Sequence, residues 1–249
     1  MSGHSKWATI KRKKGAADAK RSNMFAKLLR AVEVAAREGG GNVEGNMTLA
    51  SAVEKARSFS VPSDNIGRAI KRGTGELEGG ARYEEITYEG YAPGGVAVLV
   101  EVLTDNRNRA ASDVRNLFTR YGGALSEAGS VSWMFDRQGL ITVDRSKAKE
   151  DDVLSTALEA GAEDVRTSGD VYEIVTPPDR FFKVKQAVER ARLPIVSADI
   201  MMVPKTTVRV EGKEAQQVLR LMDALEDHDD VQHAYANFDI PDEILQQVG

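Results

Sequence analysis

Cysteine is absent, and histidine occurs three times, at His4, His228 and His233. No thiolate can therefore ligate zinc, attack a carbonyl or close a disulfide. The nearest approach to a metal site is HDDVQH, residues 228–233, where two imidazoles flank carboxylates. That segment spans an expected helix end and strand start, where a five-residue step does not bring both rings to one side. A polar turn is the expected reading, and no metal or other cofactor is assigned. GTGELEG, residues 73–79, follows a helix and lacks both the G-x-G-x-x-G order and the GK[ST] ending of phosphate loops, so it reads as a linker. TDNRNR, residues 104–109, lies between an apolar strand pattern and a helix, where α/β units commonly bind ligands. Arg107 and Arg109 suit phosphate or carboxylate there. The alternative is a capped turn of Thr104, Asp105 and Asn106 with both arginines solvated. No acid/base pair or nucleophile accompanies them, so an enzyme acting on a small molecule is the weakest expectation and no small-molecule substrate is assigned.

The chemistry that remains is electrostatic. Residues 1–30 carry nine basic side chains, Lys6, Lys11, Arg12, Lys13, Lys14, Lys20, Arg21, Lys27 and Arg30, against the single acid Asp18. Charge at this density suits a polyanion, because each phosphate neutralised releases condensed counterions and adds affinity without reading sequence. Arg68, Lys71 and Arg72 form a second basic group at the close of a short helix. Trp7 and Ile10 interleave with the first run, behind the compact polar lead-in Gly3-His4-Ser5. Trp7 could stack on a base or pack the arm against the helices. A merely solvated charge run is the competing reading.

These residues need elements to hold them. From Ser22, a plausible N-cap, Phe25, Leu28, Leu29, Val32, Ala35 and Ala36 recur at helical spacing until Gly39–Gly41. A second helix carries Leu49, Ala52, Val53, Ala56 and Phe59 and ends before Val61-Pro62. Ser63 is expected to cap a third, through Ile66, Ala69 and Ile70 to about Gly73. EEITYEGY and GVAVLVEVLT then read as a hairpin around Pro93-Gly94-Gly95, followed by a helix over 108–121 and a strand near SVSWMF. Residues 139–203 give β-α-β-β-α-β, the ferredoxin-like arrangement. TTVRV, EAQQVLRLMDALED and VQHAYANFD remain, and are expected to return to the sheet begun before the ferredoxin-like unit. The expected fold is α+β in three domains: residues 1–78 helical, 79–136 with 204–249 a discontinuous α/β domain, and 137–203 an inserted ferredoxin-like domain.

Charge divides along the same lines. The chain is −4 overall, yet residues 1–75 hold 15 Lys/Arg and 6 Asp/Glu, while residues 76–249 hold 19 Lys/Arg and 32 Asp/Glu. A basic unit is joined to an acidic body. No stretch approaches the roughly 20 apolar residues of a membrane helix, and the basic start leads into a patterned helix rather than a cleaved leader. The expectation is a cytoplasmic protein with no membrane partner.

GHSKWATIKRKKGAADAKR, AAREGGGN, VPSDNIGRAIKRGTGELEGG, YEGYAPGGVAVLVEVLTDNRNRAASDVR and GSVSWMFDRQG closely resemble the YebC/PmpR family, which includes mitochondrial translational activators of cytochrome oxidase. The resemblance runs in distinctive blocks from residue 2 to about residue 140 and more loosely beyond. It implies a three-domain α/β protein that regulates gene expression and is not an enzyme. Two activities are implied: DNA binding as a transcriptional regulator, or ribosome association as a translation factor that helps at difficult peptides such as proline runs. Carried over by matching positions, the implied nucleic-acid contacts are Gly3, His4, Ser5, Lys6, Trp7, Lys11, Arg12, Lys13, Lys14, Lys20 and Arg21, with Arg107 and Arg109 weaker. Relatives often carry histidine where this chain has Arg12, and residues 46–60 are less basic than usual for the family.

DNA and ribosomal RNA present the same phosphates to such an arm. The sequence shows no convincing helix-turn-helix with a polar recognition face, and an acidic body beside a basic arm suits folded RNA, whereas the customary family role is transcriptional. The partner expected is therefore nucleic acid, DNA or ribosomal RNA.

Overall fold

The structure is a computed structural model that describes residues 18–79 and 82–241, with side chains from residue 22 onward. It is an α+β fold of three domains.

The first domain is helical. α1 (Asp18–Gly39) begins upstream of Ser22, which is therefore not its N-cap. Asp18, Ala19, Lys20 and Arg21 offer no helix breaker, so the helix continues through them. Gly40, at φ 84°, takes the left-handed conformation that ends it. α2 (Met47–Ser58) is capped by Asn46, whose side chain accepts from Leu49 N–H at 3.0 Å and donates to Ala35 O and Gly40 O at 2.8 and 2.9 Å. One amide thus closes the end of α1 and the start of α2. α3 (Ser63–Gly73) starts behind Pro62, and Ser63 is its first helical residue rather than a side-chain cap. Leu28, Val32, Ala36, Leu49, Val53, Ala56, Ile66 and Ala69 form the common core. Gly73 lets α3 close on α1: a Cβ there would lie 2.3 Å from Glu33 O and 2.8 Å from Ala36 Cβ.

The second domain is a four-stranded sheet. β1 (Glu84–Ala92) and β2 (Val96–Thr104) pair antiparallel across Pro93-Gly94-Gly95. α4 (Arg107–Arg120) follows, and β3 (Ala124–Leu125) pairs with the outer edge of β1. The expected strand near SVSWMF is instead a 3-10 turn over Ser132–Met134, with β4 (Phe135–Asp144) beginning directly after it. The turn is fixed by a buried carboxylate described below, which overrides the local strand propensity.

β4, α5 (Glu150–Ala160), β5 (Asp164–Ser168), β6 (Val171–Thr176), α6 (Phe181–Arg190) and β7 (Ile195–Pro204) build the third domain, with all-antiparallel strand order β5-β6-β4-β7. This is the ferredoxin-like order. Ile141, Val143, Ile174, Val153, Ala157, Phe181, Val184 and Val188 fill the layer between sheet and helices.

The chain then returns. β8 (Val208–Arg209), α7 (Gly212–Asp227), β9 (Val231–Ala236) and β10 (Phe238–Asp239) follow, and β9 pairs with β2 to complete the order β3-β1-β2-β9. β8 does not join that sheet; it pairs parallel with β10 in a separate two-stranded ribbon. β2 is apolar on both faces because both are covered. Val98, Val100 and Val102 pack under α4 and α7, while Ala97 and Leu99 meet Val131, Phe135, Tyr235 and methionines of β7.

Candidate nucleic-acid interface

Gly3, His4, Ser5, Lys6, Trp7, Lys11, Arg12, Lys13 and Lys14 lie outside the described residues, and Lys20 and Arg21 are placed by backbone alone, in the first turn of α1. Further along the same helix the charge is already spent. Lys27 is buried and donates to Glu226 O at the end of α7. Arg30 Nη1 lies 3.0 Å from each of Leu103 O, Asp229 O and Asp230 Oδ1, and its guanidinium sits 5.1 Å from the Tyr83 ring centre. Two cations counted in the basic run therefore dock the helical domain onto the sheet domain. Their spacing, one helical turn apart, puts them on one side of α1.

Asp230 is the centre of that docking. Its side chain is 4% exposed and accepts from Arg30, from Thr104 Oγ1 at 2.8 Å and from Arg109 Nη2 at 2.9 Å. Burial alone would push this carboxyl up, but the hydrogen bonds from Arg109 and Thr104 and the charges of Arg109 and Arg30 outweigh it and hold its pKa below the ordinary aspartate value. Arg109 also pairs with Asp105 at 2.8 Å, and Asn106 caps α4 by accepting from Arg109 N–H at 3.1 Å. Of the two readings of TDNRNR, the geometry is the capped turn. Arg109 is about half exposed in it and bound to two carboxylates. Arg107 is exposed at the start of α4.

HDDVQH is a turn over 228–230 that runs into β9 at Val231, and it holds this hub. Sequence reading missed Asp230 because Arg30, Thr104 and Arg109 stand 200, 126 and 121 positions away. His228 Nδ1 accepts from Asp230 N–H at 3.2 Å, which leaves Nε2 facing Asp113 at 3.4 Å. His233 instead stacks on Tyr235. No group of three or more His, Asp or Glu is placed to hold a metal ion among the described residues.

Arg68 and Lys71 are exposed on α3, and Arg68 bonds Asn65 on the same helix at 2.9 Å. Arg72 turns inward: its Nε meets Glu33 Oε2 at 3.0 Å, while Arg37 Nη2 meets Glu33 Oε1 at 3.1 Å. Glu33 is 3% exposed, a second buried acid with two arginine partners. The third helix thus presents Arg68 and Lys71 outward and uses Arg72 to hold its end against α1.

A different element presents an aromatic ring. Glu89 on β1 is buried and accepts from the backbone N–H groups of Gly129, Val131 and Ser132 at 2.8, 2.6 and 2.8 Å. Burial opposes its ionisation, but these three donors prevail and its pKa lies below the ordinary glutamate value. The loop so fixed carries Trp133, 64% exposed, with Nε1 donating to Ser130 O. Glu89→Gln should destabilise the loop by about 1–3 kcal/mol, because an amide cannot accept from all three donors as well as a carboxylate. Fluorescence of Trp133 in a Trp7→Phe background would read it. The depressed pKa means this contribution is present above the ordinary glutamate range and lost as pH falls through the lower folded-state value.

Two further ion pairs join the helical domain to the third domain, Lys55 to Asp199 at 2.9 Å and Lys185 to Glu54. Beside them, Glu101 accepts from the buried Tyr235 hydroxyl at 3.3 Å; burial raises both groups, Tyr235 well above its ordinary value. No described helix is long and apolar enough to cross a membrane.

Comparison with known proteins gives consistent results. Residues 5–76 match the family described as "TACO1/YebC protein N-terminal domain", and residues 83–238 match "TACO1/YebC second and third domain". A protein of Syntrophobacter fumaroxidans, named "Probable transcriptional regulatory protein", is 57% identical over 249 residues, covering 100% of both chains. One of the same description from Geobacter sulfurreducens is 55% identical over 248 residues, again with 100% of each chain covered. The crystal structure of a conserved hypothetical protein from Aquifex aeolicus superposes with a TM-score of 0.83 at 48% identity, covering 92% of this chain and 94% of that one.

Proposed function

Since this chain belongs to the TACO1/YebC family, we propose that it is a non-catalytic regulator of gene expression that binds DNA through its basic N-terminal domain. The observation that carries the reading is the separation of charge, 15 Lys/Arg against 6 Asp/Glu in residues 1–75 on a body rich in acid. The relatives' names support the regulatory part of this reading. Lys27 and Arg30 serve internal contacts, so the proposed phosphate contacts are the arm, Lys6 to Arg21, with Arg68 and Lys71 on α3. Arg109 is withdrawn from that set by Asp230, and Arg107 remains as a peripheral contact. We place the domain boundaries at 1–78, 79–136 with 204–249, and 137–203, and the protein in the cytoplasm.

A second reading, a ribosome-associated translation factor, is favoured by the 32 acids of residues 76–249. Such a body limits indiscriminate adhesion to duplex DNA while the arm engages folded RNA phosphates. Fluorescence anisotropy on promoter fragments from the same genome, against shuffled duplexes at physiological salt, tests the first reading. Saturable preference for particular fragments is expected. Equal binding to all fragments, with nuclease-sensitive sedimentation alongside ribosomal particles in sucrose gradients, would replace it by the second.

A further inference from the structure

The ends of α1 and α3 meet in a recess of about 420 Å³. It is lined by Arg37, Arg72, Arg82, Gly73, Thr74, Gly75 and Leu77. We infer that this recess is a binding subsite for one phosphodiester of a nucleic-acid strand, with Arg72 and Arg82 as the groups that contact it. The inference rests on the nucleic-acid reading above and adds a location that the basic arm does not include.

Three observations carry it. First, Arg72 is held from behind. Its Nε is bound to Glu33 Oε2 at 3.0 Å, and the planar guanidinium therefore turns its Nη edge away from that carboxylate. Its side chain is 34% exposed, so this edge reaches solvent. A guanidinium fixed in advance loses less freedom when it closes on a phosphate, and its fork matches two phosphate oxygens. Secondly, Arg82 is exposed and has no ion pair among the described residues, which leaves its whole fork for a ligand. Arg37, in the last turn of α1, forms the third wall and shares Glu33.

The third observation is the floor. A Cβ built at Gly75 would meet nothing within 4 Å, so a strand can approach the backbone there closely. Thr74 Oγ1 beside it donates to Glu76 Oε1 at 3.0 Å.

The test measures binding of the full-length chain to a short thymidine oligonucleotide and to a duplex across a salt series. Arg82→Gln should leave the melting temperature unchanged and make the salt dependence of log K shallower by about 0.7 on the single strand and about 0.9 on the duplex, the loss of one phosphate contact. Arg72→Gln combined with Glu33→Gln, which leaves no buried carboxylate unpaired, should give the same change of slope, with the melting temperature followed alongside because the contact between α1 and α3 is lost. Arg82→Lys should keep the slope. Unchanged slopes in both glutamine variants, with wild-type binding intact, would overturn the recess and leave the nucleic-acid reading standing. No binding of the wild type to either oligonucleotide at low salt would overturn both. Displacement of the oligonucleotide by inorganic phosphate at matched ionic strength, in wild type but not in Arg82→Gln, would assign the recess to a free phosphate and overturn the phosphodiester.

Discussion

Asp230→Ala should lower stability by about 3 kcal/mol, the lower end of the roughly 3–5 kcal/mol lost when one member of a buried ion pair is removed. The lower end applies because Arg109, on one side, is 48% exposed and can turn to water, whereas Arg30, on the other, is only 17% exposed. Arg30 would still hold the carbonyls of Leu103 and Asp229, but without a counter-charge. The loss should fall on the seam between the helical and sheet domains. Hydrogen exchange at β2 and in the C-terminal half of α1 would show it, beside a lower denaturation midpoint. Asp105→Asn, which touches Arg109 from the exposed side, should be close to neutral. The acid limb gives a second readout. The folded-state pKa of Asp230 is depressed, so its contribution is complete above the unfolded-state value and disappears as pH falls through the folded one. Stability of Asp230→Ala should therefore fall less than that of the wild type across that window. Equal acid sensitivity of the two proteins would show that the carboxylate does not hold the seam.

Replacing Lys11, Arg12, Lys13 and Lys14 together by alanine should produce the largest change in binding. If each neutralises one phosphate, the slope of log K against log salt becomes shallower by about 3.6 on duplex DNA or about 2.8 on a single strand. That is a loss of orders of magnitude in affinity at low salt that narrows as salt rises. The folded domains should be untouched, since among the described residues the buried core side chains of all three lie at or beyond Leu28. Anisotropy titrations over a salt series, with circular dichroism on the same samples, would separate the two effects. An unchanged slope would show that the arm is not the docking surface, whatever the target.

Much of the architecture follows from local pattern. The helical spacing of Leu28, Val32 and Ala36, and of Leu49, Val53 and Ala56, marks faces that need a partner, and these residues meet in one core. The apolar run of β2 already implied cover on both sides, and α4 with α7 on one face and β4 with β7 on the other supply it. Local reasoning failed where a distant group intervened. SVSWMF has strand composition, but Glu89, more than forty positions earlier, takes three of the loop's amides and bends it into a turn. TTVRV resembles a sheet strand, yet the four-stranded sheet takes β9 beside β2, and TTVRV finds Phe238–Asp239 instead.

The site divides in the same way. Sequence alone determined where the cations are, that they are concentrated in the first 75 residues, and that thiol chemistry is absent, because those are properties of composition. Which cations remain available was decided by the tertiary structure. Lys27, Arg30 and Arg109 look equivalent to Arg68 and Lys71 when counted along the chain. In the fold, the first three meet a carbonyl or a buried carboxylate brought from as far as 200 residues away, while Arg68 and Lys71 face outward. A charge is legible from its residue type, but its partner depends on a long-range contact that no spacing encodes.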